Sequence, residues 1–472
     1  MISDITLKNF KKFKEETLDL RRPITLLYGE NSSGKSSALK AIATLMQTFT
    51  WSRNQYESLL AQGEYVNLGT YREYVYGHKV TNKITISIGF VTPDWYPDIT
   101  LRGKEVAKYV IELCYERSPY NEQARIYSVR GAYVLSDGET VEFFKLKKSE
   151  TKPWYTLVTD PEALEIERRK YEHNASKITE REFKRAANLK TKVNYVEGIR
   201  FALLEKNSDK IAEYKLRLVQ NNLYMLFELP ERYKYLGPLR SSPSRSYTLS
   251  AASADVGPRG ENTPSVVSYL KRSSESIKRN SEAFKKIQNW ISLIFPGRSI
   301  AVQDYEELVK IKVVRDGVAD SIQDVGFGFS QILPIIVQAA AIADGDTIIV
   351  EQPELHLHPR AQVAFSQFLI EACREGRRFI IETHSEHILR GLQLAISENS
   401  INDKTGITKE DLLVYYFPSE MDCRAFEIKI NDDGELVDGW PPGFFDESYN
   451  LTKKIIRNKI SKISEQKDES SN

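Results

Sequence analysis

No run of this sequence is apolar for long enough to cross a bilayer. The longest such stretch, near Ile332 to Ala343, is interrupted by Gln338 and falls well short of the roughly 20 residues that a spanning helix requires. The opening Met1-Ile2-Ser3-Asp4-Ile5 lacks a basic segment followed by an apolar one, so neither a signal peptide nor a membrane partner is expected. Cysteine is scarce too. Cys114, Cys373 and Cys423 are odd in number and far apart, which argues against a disulfide framework and fits a reducing, cytoplasmic setting. Net charge is all but missing: 66 Lys and Arg against 65 Asp and Glu leave +1, so no global basic field advertises nucleic acid, and any DNA contact needs a local patch. At 472 residues the chain exceeds what one core usually supports, and two or three structural regions are expected.

What is present is concentrated in a few motifs. Residues Gly29-Glu30-Asn31-Ser32-Ser33-Gly34-Lys35-Ser36 fit the pattern G-x-x-x-x-G-K-[ST] without a mismatch. The run Ile24 to Tyr28 before them reads as a buried strand, and Ser37 to Ala43 after them carries apolar residues at helical spacing. Such a strand, loop and helix cradle phosphates: glycines let the backbone turn its amides inward at a helix N-terminus. Lys35 supplies a cation for the β and γ oxygens, and Ser36 a hydroxyl for Mg²⁺. The expected cofactors are ATP and Mg²⁺. Upstream, the alternation over Ile5 to Phe13 and the return through Leu18-Asp19-Leu20 predict a β-hairpin feeding the loop.

Three further elements lie downstream. Thr347 to Val350 is a continuous apolar run ending in Glu351-Gln352-Pro353-Glu354-Leu355-His356-Leu357-His358-Pro359, so a buried parallel strand delivers carboxylates at its C-terminal end, where phosphate chemistry needs them. Glu351 is the expected Mg²⁺ ligand. Arg378 to Ser385 is a second such strand, ending at His384, a residue placed to touch a γ-phosphate or its water. Between them, Asp324 to Pro334 is a Gly/Ser turn opening an apolar helix. Read in isolation, His356 and His358 with Glu351 and Glu354 mimic a transition-metal site, but the absence of a Cys/His cluster favours a plain loop.

In this order the four elements resemble the ABC-type ATPases of the SMC, OLD-like and DNA-repair kind, over residues 1 to about 90 and about 235 to 430. The resemblance implies an α/β P-loop ATPase head with a mixed sheet, interrupted by an α+β or helical insert. It also implies head-to-tail self-association into dimers or larger oligomers, with Gly328, Ser330 and Gln331 of one copy capping the nucleotide of another and His356 to His358 crossing the seam. One position departs from the family. Members usually follow the Mg²⁺-binding acid with a Glu that polarises water, and here that position is Gln352. An amide orients water but accepts no proton at neutral pH, so hydrolysis is expected to be slow unless Glu354 or His384 acts as base.

Residues 116–232 lack these motifs. Tyr127 to Val129, Ala132 to Leu135 and Glu142 to Leu146 suggest a strand meander, and a charge-dense segment from Pro161 to Lys190 suggests a short helical projection. Its Arg168, Arg169, Lys170, Arg181, Lys184 and Arg185 form either a solvated face or a surface for a partner or DNA. The expected domains are an N-terminal ATPase lobe over 1–115, the insert over 116–232, a C-terminal lobe over 233–430 and an extension over 431–472. The short insert, the Glu-Gln-Pro-Glu strand and the ending Trp440-Pro441-Pro442-Gly443-Phe444-Phe445-Asp446-Glu447 resemble the ATPase subunits of bacterial anti-phage systems of the Septu kind. That resemblance implies a separate effector, a nuclease, controlled by ATP-dependent assembly. Two alternatives stay open: a DNA-repair or chromosome-maintenance ATPase, and a nucleotide-stabilised scaffold with little hydrolysis, such as a PARIS-type sensor.

Overall fold

The computed structural model describes residues 1–50, 59–91, 100–151, 154–165, 190–195, 201–203, 210–249, 254–402, 406–420, 424–441 and 451–458. The basic positions of the predicted helical projection, Arg168 to Arg185, lie outside the described residues, as do Cys423 and most of the aromatic ending.

A six-stranded sheet positions the motifs. Its order is Tyr233–Leu236, Thr347–Glu351, Arg378–Glu382, Ile24–Gly29, Leu412–Phe417 and Phe426–Glu427, the first five parallel and the last antiparallel. The mixed α/β sheet expected from the sequence is therefore the observed one. Its strands read as unbroken apolar runs because both faces are covered. Leu27, Ile349, Ile380 and Leu413 face one core, with the phosphate-loop helix Lys35–Thr48. Their neighbours Leu26, Ile348, Ile381 and Val414 face a second core, with helices Lys278–Ile294, Phe327–Ala341 and Pro359–Arg374. Gln338, the polar break in the longest apolar run, is fully buried: its Oε1 accepts from Val256 N at 2.9 Å and its Nε2 donates to Ala254 O at 3.1 Å. No helix among the described residues is long and apolar enough to cross a membrane.

The predicted hairpin is Ile2–Phe10 against Phe13–Asp19, closing at the Phe10 and Phe13 pair. It forms the edge of a ten-stranded, largely antiparallel sheet that continues through Ile84–Val91 and Lys104–Arg117 into Ala124–Leu135, Thr140–Lys148, Tyr155–Thr159, Thr191–Tyr195 and Phe201–Leu203. The meander expected of the insert is present, and its strands extend the sheet of the N-terminal lobe across residue 115. The two stretches around Val129 and Tyr133 are one strand with a register shift at Gly131, where an added Cβ would meet the Phe144 ring. A four-stranded sheet built on Arg298–Asp304 and Leu308–Arg315 packs beside helix Lys278–Ile294.

Candidate nucleotide site

The phosphate loop joins strand Ile24–Gly29 to helix Lys35–Thr48 through backbone that only glycine adopts easily. Gly29 has φ 144° and Gly34 has φ 110°, and a Cβ on Gly29 would lie 2.3 Å from Phe417 O. The result is a cleft of about 480 Å³ lined by Asn31, Ser32, Ser33, Gly34, Lys35, Ser36 and Ser37 on one wall and by Gln352, Glu382 and His384 on the other. Glu30 contributes its carbonyl: Lys35 Nζ donates to Gly29 O at 2.8 Å and to Glu30 O at 2.7 Å. Burial lowers the Lys35 pKa, a cost relieved in part by the nearby Glu382 and Glu354 carboxylates. Ser33 Oγ is buried without a partner among the described residues. A buried cation, an unsatisfied hydroxyl and a glycine cradle at a helix N-terminus fit a polyphosphate.

The opposite wall comes from two strand ends in register. Glu351 pairs with Glu382 on the neighbouring strand, and Glu382 pairs with Leu27 on the phosphate-loop strand. Ser36 Oγ donates to Glu382 Oε1 at 2.8 Å. Burial and then the neighbouring Glu351 push the Glu382 carboxyl up to about 7. Glu351 accepts from Tyr235 Oη at 2.5 Å, and burial raises its pKa as well. Two desolvated carboxylates beside a hydroxyl form a hard oxygen set that fits Mg²⁺, whose charge relieves their repulsion. Ser36 and Glu351, the ligands expected from the sequence, thus flank Glu382, which lines the cleft and which motif spacing had not identified. Its signal was a carboxylate two residues before His384 at a buried strand end.

Gln352 sits on a turn with φ 47° and lines the cleft beside His384. The turn is held from behind. Buried Arg240 donates from Nη2 to Glu351 O at 2.6 Å and from Nη1 to Gln352 O at 3.1 Å, and Gln352 N donates to Glu382 O at 2.7 Å. Burial lowers the Arg240 pKa to about 10. Arg240 therefore braces the acidic strand. Glu354 is occupied differently: Oε1 accepts from His384 N and Oε2 from Thr383 Oγ1, each at 2.7 Å. Both oxygens of this carboxylate shape the His384 loop. Partial desolvation, and then Lys35, lower the His384 pKa, favouring a neutral ring.

The Gly/Ser turn lies elsewhere, at the mouth of a second cleft of about 930 Å³ lined by Gly326, Phe327, Gly328, His356, His358 and Arg360 among others. Phe327 is 43% exposed and meets the His356 ring edge-on at 4.9 Å. Gly328 is required by close approach, since a Cβ there would lie 2.5 Å from His356 O. Ser330 and Gln331 are buried in the first turns of helix Phe327–Ala341, and Ser330 Oγ donates back to Phe327 O at 2.7 Å. The groups open to a second molecule are Gly326, Phe327 and the helix start. His358 caps the next helix, its Nδ1 accepting from Arg360 N at 3.3 Å. Among the described residues no group of three or more His, Cys, Asp or Glu side chains is placed to hold a metal.

Among known proteins, the DNA replication and repair protein RecF of Pseudoalteromonas translucida (strain TAC 125) is 30% identical over 110 residues, a stretch spanning 23% of this chain and 28% of that relative. Solved structures of similar course include the SMC head bound to the C-winged helix domain of ScpA, at 11% identity and TM-score 0.42, covering 91% of this chain and 98% of that one. The SMC head domain from Thermotoga maritima gives 10% identity and TM-score 0.37, covering 91% and 99%. Residues 407–455 match a family described as a protein of unknown function. The family described as AAA ATPase domain matches residues 1–389, which carry the phosphate loop, the acidic strand and His384, and the chain belongs to that family.

Proposed function

We propose that the cleft binds ATP with Mg²⁺, that hydrolysis is slow, and that bound ATP drives head-to-tail association of two copies. The carrying observation is the cleft itself: Lys35, Ser36 and the glycine cradle face Glu382, Gln352 and His384 across one space. Lys35 and the loop amides would hold the phosphates, Ser36 with the acidic strand ends would site Mg²⁺, and Gln352 with neutral His384 would orient water. Mg²⁺ would supply charge neutralisation at the β and γ oxygens. Slow turnover follows from Gln352, which accepts no proton, and from Glu354, whose oxygens are both engaged. The exposed turn at Gly326 and Phe327 supports the trans contact.

In the finer reading, ATP-dependent assembly regulates a separate effector nuclease in anti-phage defence. The short insert, the Glu-Gln-Pro-Glu strand and the aromatic ending support it. The likeness to a DNA replication and repair protein supports a second reading, an ATPase acting directly on DNA. Equilibrium binding of labelled ATP is the primary test: Lys35→Ala is expected to abolish it, because it removes the cation facing the phosphate charges. Near-native affinity in the variant overturns the site. Turnover with and without DNA separates the two finer readings, since strong stimulation by DNA favours the second.

A further inference from the structure

The sequence sets up Ser36 and Glu351 as the cation's protein ligands, but strand order keeps them apart. Strand Arg378–Glu382 lies between strand Thr347–Glu351 and the phosphate-loop strand. At about 4.8 Å per strand, the Glu351 backbone is two spacings from the phosphate-loop strand and Glu382 only one. The side chains follow that order. Ser36 Oγ donates to Glu382 Oε1 at 2.8 Å, whereas Glu351 Oε1 is taken by the Tyr235 hydroxyl.

Glu382 also has spare capacity. The residue is 3% exposed, and its Oε2 is buried with no hydrogen-bond partner among the described residues. An unmet buried acceptor is costly unless a ligand satisfies it. Glu382 lines the phosphate-loop cleft together with Ser36 and Lys35, while Glu351 does not reach its wall. Hydroxyl plus carboxylate is the oxygen set that Mg²⁺ takes beside phosphate oxygens.

The geometry points to Glu382, with Ser36, as the direct protein anchor for the divalent cation, and to Glu351 as a positioning residue held by Tyr235 behind it. The assignment rests on the reading of the cleft as an ATP site. It also accounts for a carboxylate at the end of the His384 strand, where Leu27 is its in-register neighbour on the phosphate-loop strand.

The test uses the full chain and N-methylanthraniloyl-ATP, titrated with Mg²⁺ and with EDTA. Wild type is expected to bind more tightly with Mg²⁺. Glu382→Gln is expected to lose at least about tenfold of that Mg²⁺-dependent gain while keeping its affinity in EDTA, and Glu351→Gln to lose less. Mn²⁺ replacing Mg²⁺ adds a spectroscopic readout: Glu382→Asp, which keeps the charge on a shorter arm, should shift the resonance of the bound Mn²⁺ while Mn²⁺ still binds. This second variant keeps the idea testable should Glu382→Gln fold poorly. An equal or larger loss in Glu351→Gln, or a Glu382→Asp spectrum identical to wild type, overturns the assignment. Failure of wild type to bind the nucleotide at all would instead sink the ATP reading beneath it.

Discussion

Gln352 is the residue on which turnover depends. It occupies the cleft wall beside His384, its backbone fixed by Arg240 and by its own N–H to Glu382 O, so its side chain is presented from a rigid turn. Gln352→Glu keeps the side-chain length and adds a carboxylate. Phosphate release is expected to rise by at least about tenfold, part of the 10²–10⁴ that a positioned base contributes. Unchanged turnover would mean that another group already serves, and slower turnover would mean that Gln352 is not the water-facing position. The phosphate loop and Gln352 were legible because each belongs to a short contiguous motif. Glu382 and Arg240 were not: Ser36 and Glu382 are 346 positions apart, and Arg240 reaches Glu351 across 111. Motif spacing records neighbours along the chain, and these contacts exist only once the strands have taken their order.

Among elements, the turn into helix Phe327–Ala341 is held by the approach of Gly328 to the loop after the acidic strand. The atom that a Cβ would meet is the His356 carbonyl, backbone that cannot rotate away as a side chain can. Gly328→Ala is expected to cost about 1–3 kcal/mol, the range for forcing extra volume into a packed contact. Chemical denaturation of the two proteins measures it, and an unchanged midpoint would show that the loops separate freely. The hairpin and the strands at Ile24, Thr347 and Arg378 were legible from alternation and from apolar runs. The pairing of the meander strands was not, because periodicity marks a strand without naming its neighbour. Lys104–Arg117 pairs with both Ile84–Val91 and Ala124–Leu135, which joins the meander to the hairpin in one sheet.

At the scale of the whole molecule, the phosphate-loop cleft and the Gly326 to Gly328 turn are separate features with different linings. In the proposed head-to-tail pair, the turn of one copy closes the cleft of the other. ATP then acts as glue only to the extent that it binds the pair more tightly than the separated copies. Ser330 and Gln331 are poor levers on such a seam, because both are buried and substitution there disturbs helix Phe327–Ala341 before it disturbs any partner. Phe327 is the better one, 43% exposed at the start of the same helix. Phe327→Glu sets a carboxylate where the partner's phosphates would sit, and like charges facing across a closing interface are disfavoured. The ATP-dependent association constant is expected to fall by at least about tenfold, or 1.4 kcal/mol, while labelled-ATP binding by the separated chain stays near wild type. Sedimentation of both proteins with and without ATP reads the first quantity, and equilibrium binding at low protein concentration reads the second. Normal ATP-dependent association of Phe327→Glu would place the seam elsewhere and leave the turn as an internal brace for the His356 loop. Loss of binding and association together would instead mean that the substitution acts through the fold.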